Sequence, residues 1–150
     1  MEGYSMKLKL GIFTVLAALF TSATLLFGTT CVREITSTQE LEMLLKTEKN
    51  LVIKFSTQQC PYCVYLDPFF KQAAIHYNGP VVFAAVMIPS DQNVRNWYKA
   101  TFKFATVPTV VYYKDGEKIL VHGSGDKTIT DRDILSNITK IYNTESPRLL

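Results

Sequence analysis

Apolar and polar positions change rhythm along the chain, and each rhythm predicts an element. "VREI" at 32–35 suits a short first strand. Leu41, Leu44 and Leu45 then recur at helical spacing behind Ser37-Thr38-Gln39-Glu40, a capping-box pattern, so a helix is expected up to Lys49-Asn50. "LVIKFS" at 51–56 and "VVFAAVMI" at 81–88 are apolar runs with few interruptions, as in strands covered on both faces. Between them Leu66, Phe69, Phe70, Ala73, Ala74 and Tyr77 repeat with helical period until Asn78-Gly79-Pro80 stops them. Pro68 falls inside that helix and is expected to kink it. A short helix over Asp91–Phe102 precedes "TVVYY" at 109–113. That strand turns through Lys114-Asp115-Gly116-Glu117 into "KILVHG", a hairpin signal of the longer-loop kind. Ile134, Leu135, Ile138 and Ile141 form the apolar face of a last helix over Asp131–Tyr142. Early alternation of strand and helix implies parallel pairing, and the late hairpin adds antiparallel strands. The fold class is α/β, a central mixed β-sheet flanked by helices on both faces.

Composition narrows the class. With 150 residues the chain holds one domain with a core, and 47% hydrophobic with 19% charged residues describes a globular protein. A net charge of +3, with Lys and Arg scattered, gives no basic run for nucleic acid. Residues 1–30 are of another kind. Lys7 and Lys9 precede "LGIFTVLAALFTSATLLFGTT" at 10–30, which lacks any charge. This is the pattern of a signal peptide, or of an anchor, because about 20 apolar residues span a bilayer. Residues after 30 are therefore expected outside the cytoplasm, in a bacterial periplasm or held at the membrane through residues 10–30. The C-terminal "ESPRLL" has no endoplasmic-reticulum retention signal, which argues against residence there. The expected division is a leader at 1–30, a domain at 31–144 and a short tail at 145–150.

Candidate chemistry lies in "CPYC" at 60–63, where a strand gives way to a helix. Pro61 suits the first helical position, since its missing N–H would be unpaired there in any case. Cys60 then sits at the helix N-terminus, where unpaired amides and the dipole favour a thiolate, and Cys63 follows one turn deeper. An attacking thiol beside a resolving thiol is what thiol–disulfide exchange requires. A structural disulfide is the plainer alternative, although so short a loop stabilises little. Zinc would need further ligands, and Cys31, His76 and His122 have no paired spacing; copper held by the two thiolates alone is the remaining metal reading. Cys31, the odd cysteine, reads as an unremarkable thiol. His76 and His122 read as a helix-surface and a strand-end residue. Trp97 is expected to pack its helix on the core.

Taken with "CPYC", Pro68 five residues on, "TVPT" at 106–109, "KDGE" at 114–117 and Gly123 give residues 32–142 a pattern that resembles the thioredoxin family. The resemblance implies the thioredoxin fold, with Pro108 cis and packed against the Cys60–Cys63 disulfide. It implies that the backbone of Val107 pairs with bound polypeptide, with Pro61 and Tyr62 on the same substrate-binding rim. "CPYC" with "TVP" also occurs in glutaredoxins, but the chain after 109 has thioredoxin length and an additional helix precedes "LVIKFS". Two departures stand out. Lys54 lies six positions before Cys60, where the family buries an acid, and the lysine that partners that acid falls at Ala85. Lys54 either faces the cysteines and favours thiolate, or carries its amine to the surface. Gln59 and Ser56 replace tryptophans, which predicts a more polar rim.

The function implied is protein-disulfide oxidoreduction without a bound cofactor or metal. Protein thiols or disulfides are its substrates, and a separate redox partner recharges the pair. The alternative is a non-catalytic chaperone or assembly module with the disulfide as a staple.

Overall fold

A computed structural model describes residues 32–77, 79–123 and 129–142. The leader at 1–30, Cys31 and the tail at 145–150 lie outside the described residues. The elements are β1 (Arg33–Ile35), α1 (Thr38–Thr47), β2 (Leu51–Ser56), α2 (Pro61–His76), β3 (Val82–Met87), α3 (Gln92–Phe102), β4 (Thr109–Lys114), β5 (Glu117–Gly123) and α4 (Asp131–Tyr142). They form one sheet in the order β1-β3-β2-β4-β5. β1 and β2 run parallel to β3, while β4 runs antiparallel to both β2 and β5. Both pairings follow the order of elements expected from sequence.

All of β2 is buried, and its alternation divides the core into two layers. Leu51, Ile53 and Phe55 face Leu41 and Leu44 of α1 and Tyr98 and Phe102 of α3. Val52 faces Leu66, Phe70 and Ala74 of α2 and Ile134, Leu135 and Ile138 of α4. Period two therefore puts Lys54 and Ser56 on the α2 face. That placement governs the site described below.

Helix ends are set by local polar chemistry. The Ser37 side chain caps α1 by accepting from the Glu40 N–H at 3.1 Å, and Glu40 reaches back to the Thr36 N–H at 3.1 Å. Glu40 thus completes the box one residue earlier than the pattern predicts. At α4 the Asp133 carboxylate accepts from the Thr130 N–H at 2.9 Å and from its hydroxyl at 2.7 Å. These hydrogen bonds hold the Asp133 carboxyl below its ordinary value, against the effect of burial and with help from the charge of His122. A carboxylate with a depressed folded value stabilises above the ordinary range and loses that contribution as pH falls through the folded value. Asp133→Asn is accordingly expected to lower the melting temperature at neutral pH. The gap to wild type should narrow below about pH 4, the ordinary carboxylate range, in thermal unfolding followed against pH.

Two local expectations are corrected. The hairpin is tight: Lys114 pairs with Glu117, leaving only Asp115 and Gly116 as the loop. Their φ values are 55° and 83°, the left-handed pair that a two-residue turn matching strand twist demands, and Asp-Gly supplies it. The Gly116 N–H donates to Lys49 O at 2.8 Å, fastening the turn to the connection between α1 and β2. Trp97 is 38% exposed, because Tyr98 and Phe102 take the buried face of α3. The indole lies edge-on to Tyr98 at 4.9 Å and covers the helix from outside. Pro68 sits inside α2 without ending it.

Candidate active site

β2 delivers the chain from the sheet interior to a loop at Thr57–Gln59, and α2 begins at Pro61. Cys60 is the N-cap, with extended backbone at φ −106° and ψ 106°. Its carbonyl accepts from Cys63 N–H at 3.0 Å and Val64 N–H at 3.2 Å, as a cap residue should. Its sulfur accepts from the same Cys63 N–H at 3.2 Å. A backbone donor and the positive end of a 16-residue helix thus converge on Sγ of Cys60.

Cys60 and Cys63 are joined in a disulfide, with their Cα atoms 5.2 Å apart. The two sulfurs are not equivalent. Cys60 is half-buried, whereas Cys63 is 4% exposed on the inner side of the helix. Attack from outside can reach Cys60 only.

The segment before β4 closes the other side. The Val107–Pro108 peptide is cis, and Val107 O lies 3.7 Å from Cys60 Sγ. Thr109 is fully buried, and its hydroxyl donates to Thr106 O, which folds the 106–109 turn back on itself. Pro108 is buried and Val107 half-buried, so the Val107 backbone stands at the rim beside the sulfur. Pro61 is exposed at the first helical position and Tyr62 is 61% exposed. The structure therefore brings Cys60, Cys63, Pro61, Tyr62, Val107 and Pro108 to one end of the sheet. Of the two residues that replace tryptophans, Gln59 is exposed at the rim, whereas Ser56 is buried and donates to Val86 O at 3.3 Å. Val64 and Tyr65 add exposed apolar surface beside Tyr62.

Lys54 does not reach the open surface. It is 3% exposed, and its ammonium pairs with the Asp67 carboxylate and lies 5.4 Å from the centre of the Phe70 ring. Asp67 also accepts from Lys71 at 2.6 Å, one turn further along α2. Burial works against ionisation of Asp67, but its hydrogen bonds and charge contacts with both lysines prevail and hold it below the ordinary value. Sequence reasoning missed Asp67. Its signal was present, since it is the single acid of α2 and lies one turn beyond Cys63. Ala85 stands opposite Lys54 in the β2–β3 register. His76 is exposed at the end of α2, and His122 lies on β5 with Nδ1 3.2 Å from Asn137 Nδ2. Neither takes part in the cysteine site. Among the described residues, no group of three or more His, Cys, Asp or Glu is placed to hold a metal ion.

Comparison with known proteins agrees with this geometry. The family model for thioredoxin matches residues 32–140. The chain belongs to the thioredoxin family. A thioredoxin-like protein of Fusarium culmorum is 31% identical over 94 residues, covering 61% of this chain and 74% of the relative. A thioredoxin of Neurospora crassa is 30% identical over 95 residues, covering 62% of this chain and 72% of the relative. Among solved structures, thioredoxin of Schistosoma mansoni superposes with a TM-score of 0.61 at 21% identity, covering 75% of this chain and 96% of that one. The fold is therefore the thioredoxin fold, with a five-stranded mixed sheet and four helices among the described residues. This thioredoxin-family redox protein carries its cysteine pair at disulfide distance, and the family acts on protein disulfides.

Proposed function

We propose that this protein is an exported thiol–disulfide oxidoreductase that exchanges disulfides with protein substrates through Cys60 and Cys63. One observation carries the reading: a half-exposed sulfur at a helix N-terminus accepts an amide hydrogen and is bonded to a buried sulfur one turn below.

When the pair is reduced, the helix terminus and the Cys63 amide favour the Cys60 thiolate, the reactive form. That thiolate attacks a substrate disulfide, one substrate sulfur leaves as a thiolate, and a mixed disulfide forms at Cys60. Cys63 then loses its proton and attacks Cys60 Sγ. The Cys60–Cys63 bond forms, and the second substrate sulfur leaves and takes up a proton. Two electrons pass to the substrate; the same steps in reverse oxidise a dithiol. Val107, beside the sulfur, offers its backbone to an extended peptide, and Pro108, Pro61 and Tyr62 shape the groove around it. A separate redox partner returns the pair to its starting state. Export is supported by the charged start and apolar run at 1–30, which lead into a periplasmic location or a membrane anchor with the domain on the non-cytoplasmic side.

Replacing Cys63 with alanine is expected to stop the reaction at the mixed disulfide. Non-reducing electrophoresis of the variant, expressed with its full leader, should show substrate adducts that vanish with dithiothreitol and with a second Cys60→Ser change. Absence of adducts, together with a wild-type disulfide that resists mild reductant, would leave the pair as a staple in a non-catalytic binding module.

A further inference from the structure

We propose that Lys54, positioned by Asp67, is the charge that holds the resolving sulfur Cys63 as a thiolate and makes the Cys60–Cys63 disulfide the stronger oxidant, an assignment that rests on the exchange reading above.

Placement comes first. Behind α2 lies a cavity of about 330 Å³ whose wall includes Cys63, Lys54, Ser56, Asp67, Ala85 and Glu34. Cys60 is not part of that wall. Register explains the opening: Lys54 on β2, Ala85 on β3 and Glu34 on β1 are successive cross-strand neighbours, and the small Ala85 side chain leaves the space between them unfilled. Cys63 and Asp67 are one helical turn apart on α2, so both meet this face.

Charge comes next. Three ionic groups share the cavity wall with Cys63, namely Lys54 from β2, Asp67 from α2 and Glu34 from β1, and Lys71 joins them through Asp67. Glu34 and Lys71 are exposed, so water and salt screen them. The Asp67 side chain is 36% exposed and divides its two oxygens between Lys54 and Lys71. The Lys54 side chain is only 4% exposed, and its ammonium is the dry member of the set. A charge in such surroundings acts over a few ångströms far more strongly than one in water. Lys54 is thus the most shielded cation on the wall that Cys63 shares, with the more exposed Asp67 as its counter-charge. Burial alone would disfavour the Cys63 thiolate, and Lys54 offsets that penalty.

The two sulfurs thus have separate sources of stabilisation, the helix terminus for Cys60 and the lysine for Cys63. During resolution the Cys63 thiolate attacks Cys60, and the substrate sulfur departs and is protonated by solvent. No further oxidant or reductant enters. Because a disulfide bears no charge, every interaction that favours a thiolate favours the reduced form, and the couple becomes more oxidising.

The test needs no turnover. In a Cys31→Ser, Cys60→Ser protein, Cys63 is titrated by ultraviolet thiolate absorbance against pH. Lys54→Met should lower the Cys63 thiolate-to-thiol ratio at neutral pH about tenfold, with Lys54→Arg close to the parent. With both active-site cysteines restored, Lys54→Met should shift the equilibrium with glutathione about tenfold toward the disulfide, equivalent to about 30 mV. Methionine keeps the buried volume and leaves Asp67 paired with Lys71; should it not fold, Lys54→Gln serves. Equal Cys63 titrations with and without the lysine overturn the assignment, as does an arginine variant that behaves like methionine. If Cys63 responds to Lys54 while the wild type exchanges no disulfides, the exchange reading fails and the charge assignment stands.

Discussion

Cys60→Ser is expected to abolish the proposed disulfide exchange, with a loss on the order of 10³-fold or more, the scale expected when a covalent nucleophile is removed. Serine keeps the shape of the side chain and its ability to accept the Cys63 N–H, so the start of α2 should survive. Its oxygen does not form the mixed disulfide. Cys63 cannot substitute, because it is 4% exposed and faces the cavity behind the helix. The measurement is dithiothreitol-driven reduction of insulin, with circular dichroism confirming the fold. Residual activity within tenfold of wild type would mean that another group attacks the substrate, and the assigned direction of entry would be wrong.

Phe55→Ala should produce the largest loss of stability, about 3–5 kcal/mol, as for a buried aromatic cut back to a methyl group. Phe55 is fully buried near the end of β2. Its ring centre lies 4.7 Å from that of Phe102, 5.1 Å from Phe104 and 6.0 Å from Tyr98. Four aromatic rings thus meet under the active-site end of the sheet. Phe104 leads directly into the 106–109 turn, so the cluster supports both the cysteine loop and Val107–Pro108. Against a total of about 5–15 kcal/mol for an ordinary domain, such a loss leaves the fold marginal. Urea unfolding should show a lower midpoint with an unchanged slope, and Phe55→Leu should recover part of the difference. An alanine variant within about 1 kcal/mol of wild type would show that the neighbouring rings collapse into the space.

Much of this was legible from residue pattern alone. The apolar runs at 51–56 and 81–88 and the helical periods on either side were enough for element order and mixed pairing. Cys60 and Cys63 announced themselves by spacing and by Pro61. Lys54 was harder. Alternation in β2 groups it with Val52 and Ser56, but which helix covers that face depends on the handedness of two crossovers, a property of the whole sheet. Asp67 stood out as the single acid of α2, but its pairing with Lys54 was hard to read for a related reason: residues 54 and 67 meet only when α2 lies across β2. The hairpin loop was misjudged because strand pairing extends through Lys114 and Glu117, which have no apolar signal to extend it. Trp97 was misplaced because Tyr98 and Phe102 satisfy the same helical period one residue on.

One sulfur facing outward and its partner facing inward also decides how the protein ages under peroxide. In the reduced protein hydrogen peroxide is expected to meet Cys60 first and convert it to a sulfenic acid, because Cys63 is only 4% exposed. Held one turn away, Cys63 condenses with that acid and expels water before a second oxygen is added. Damage is thereby returned to the ordinary oxidised state of the pair.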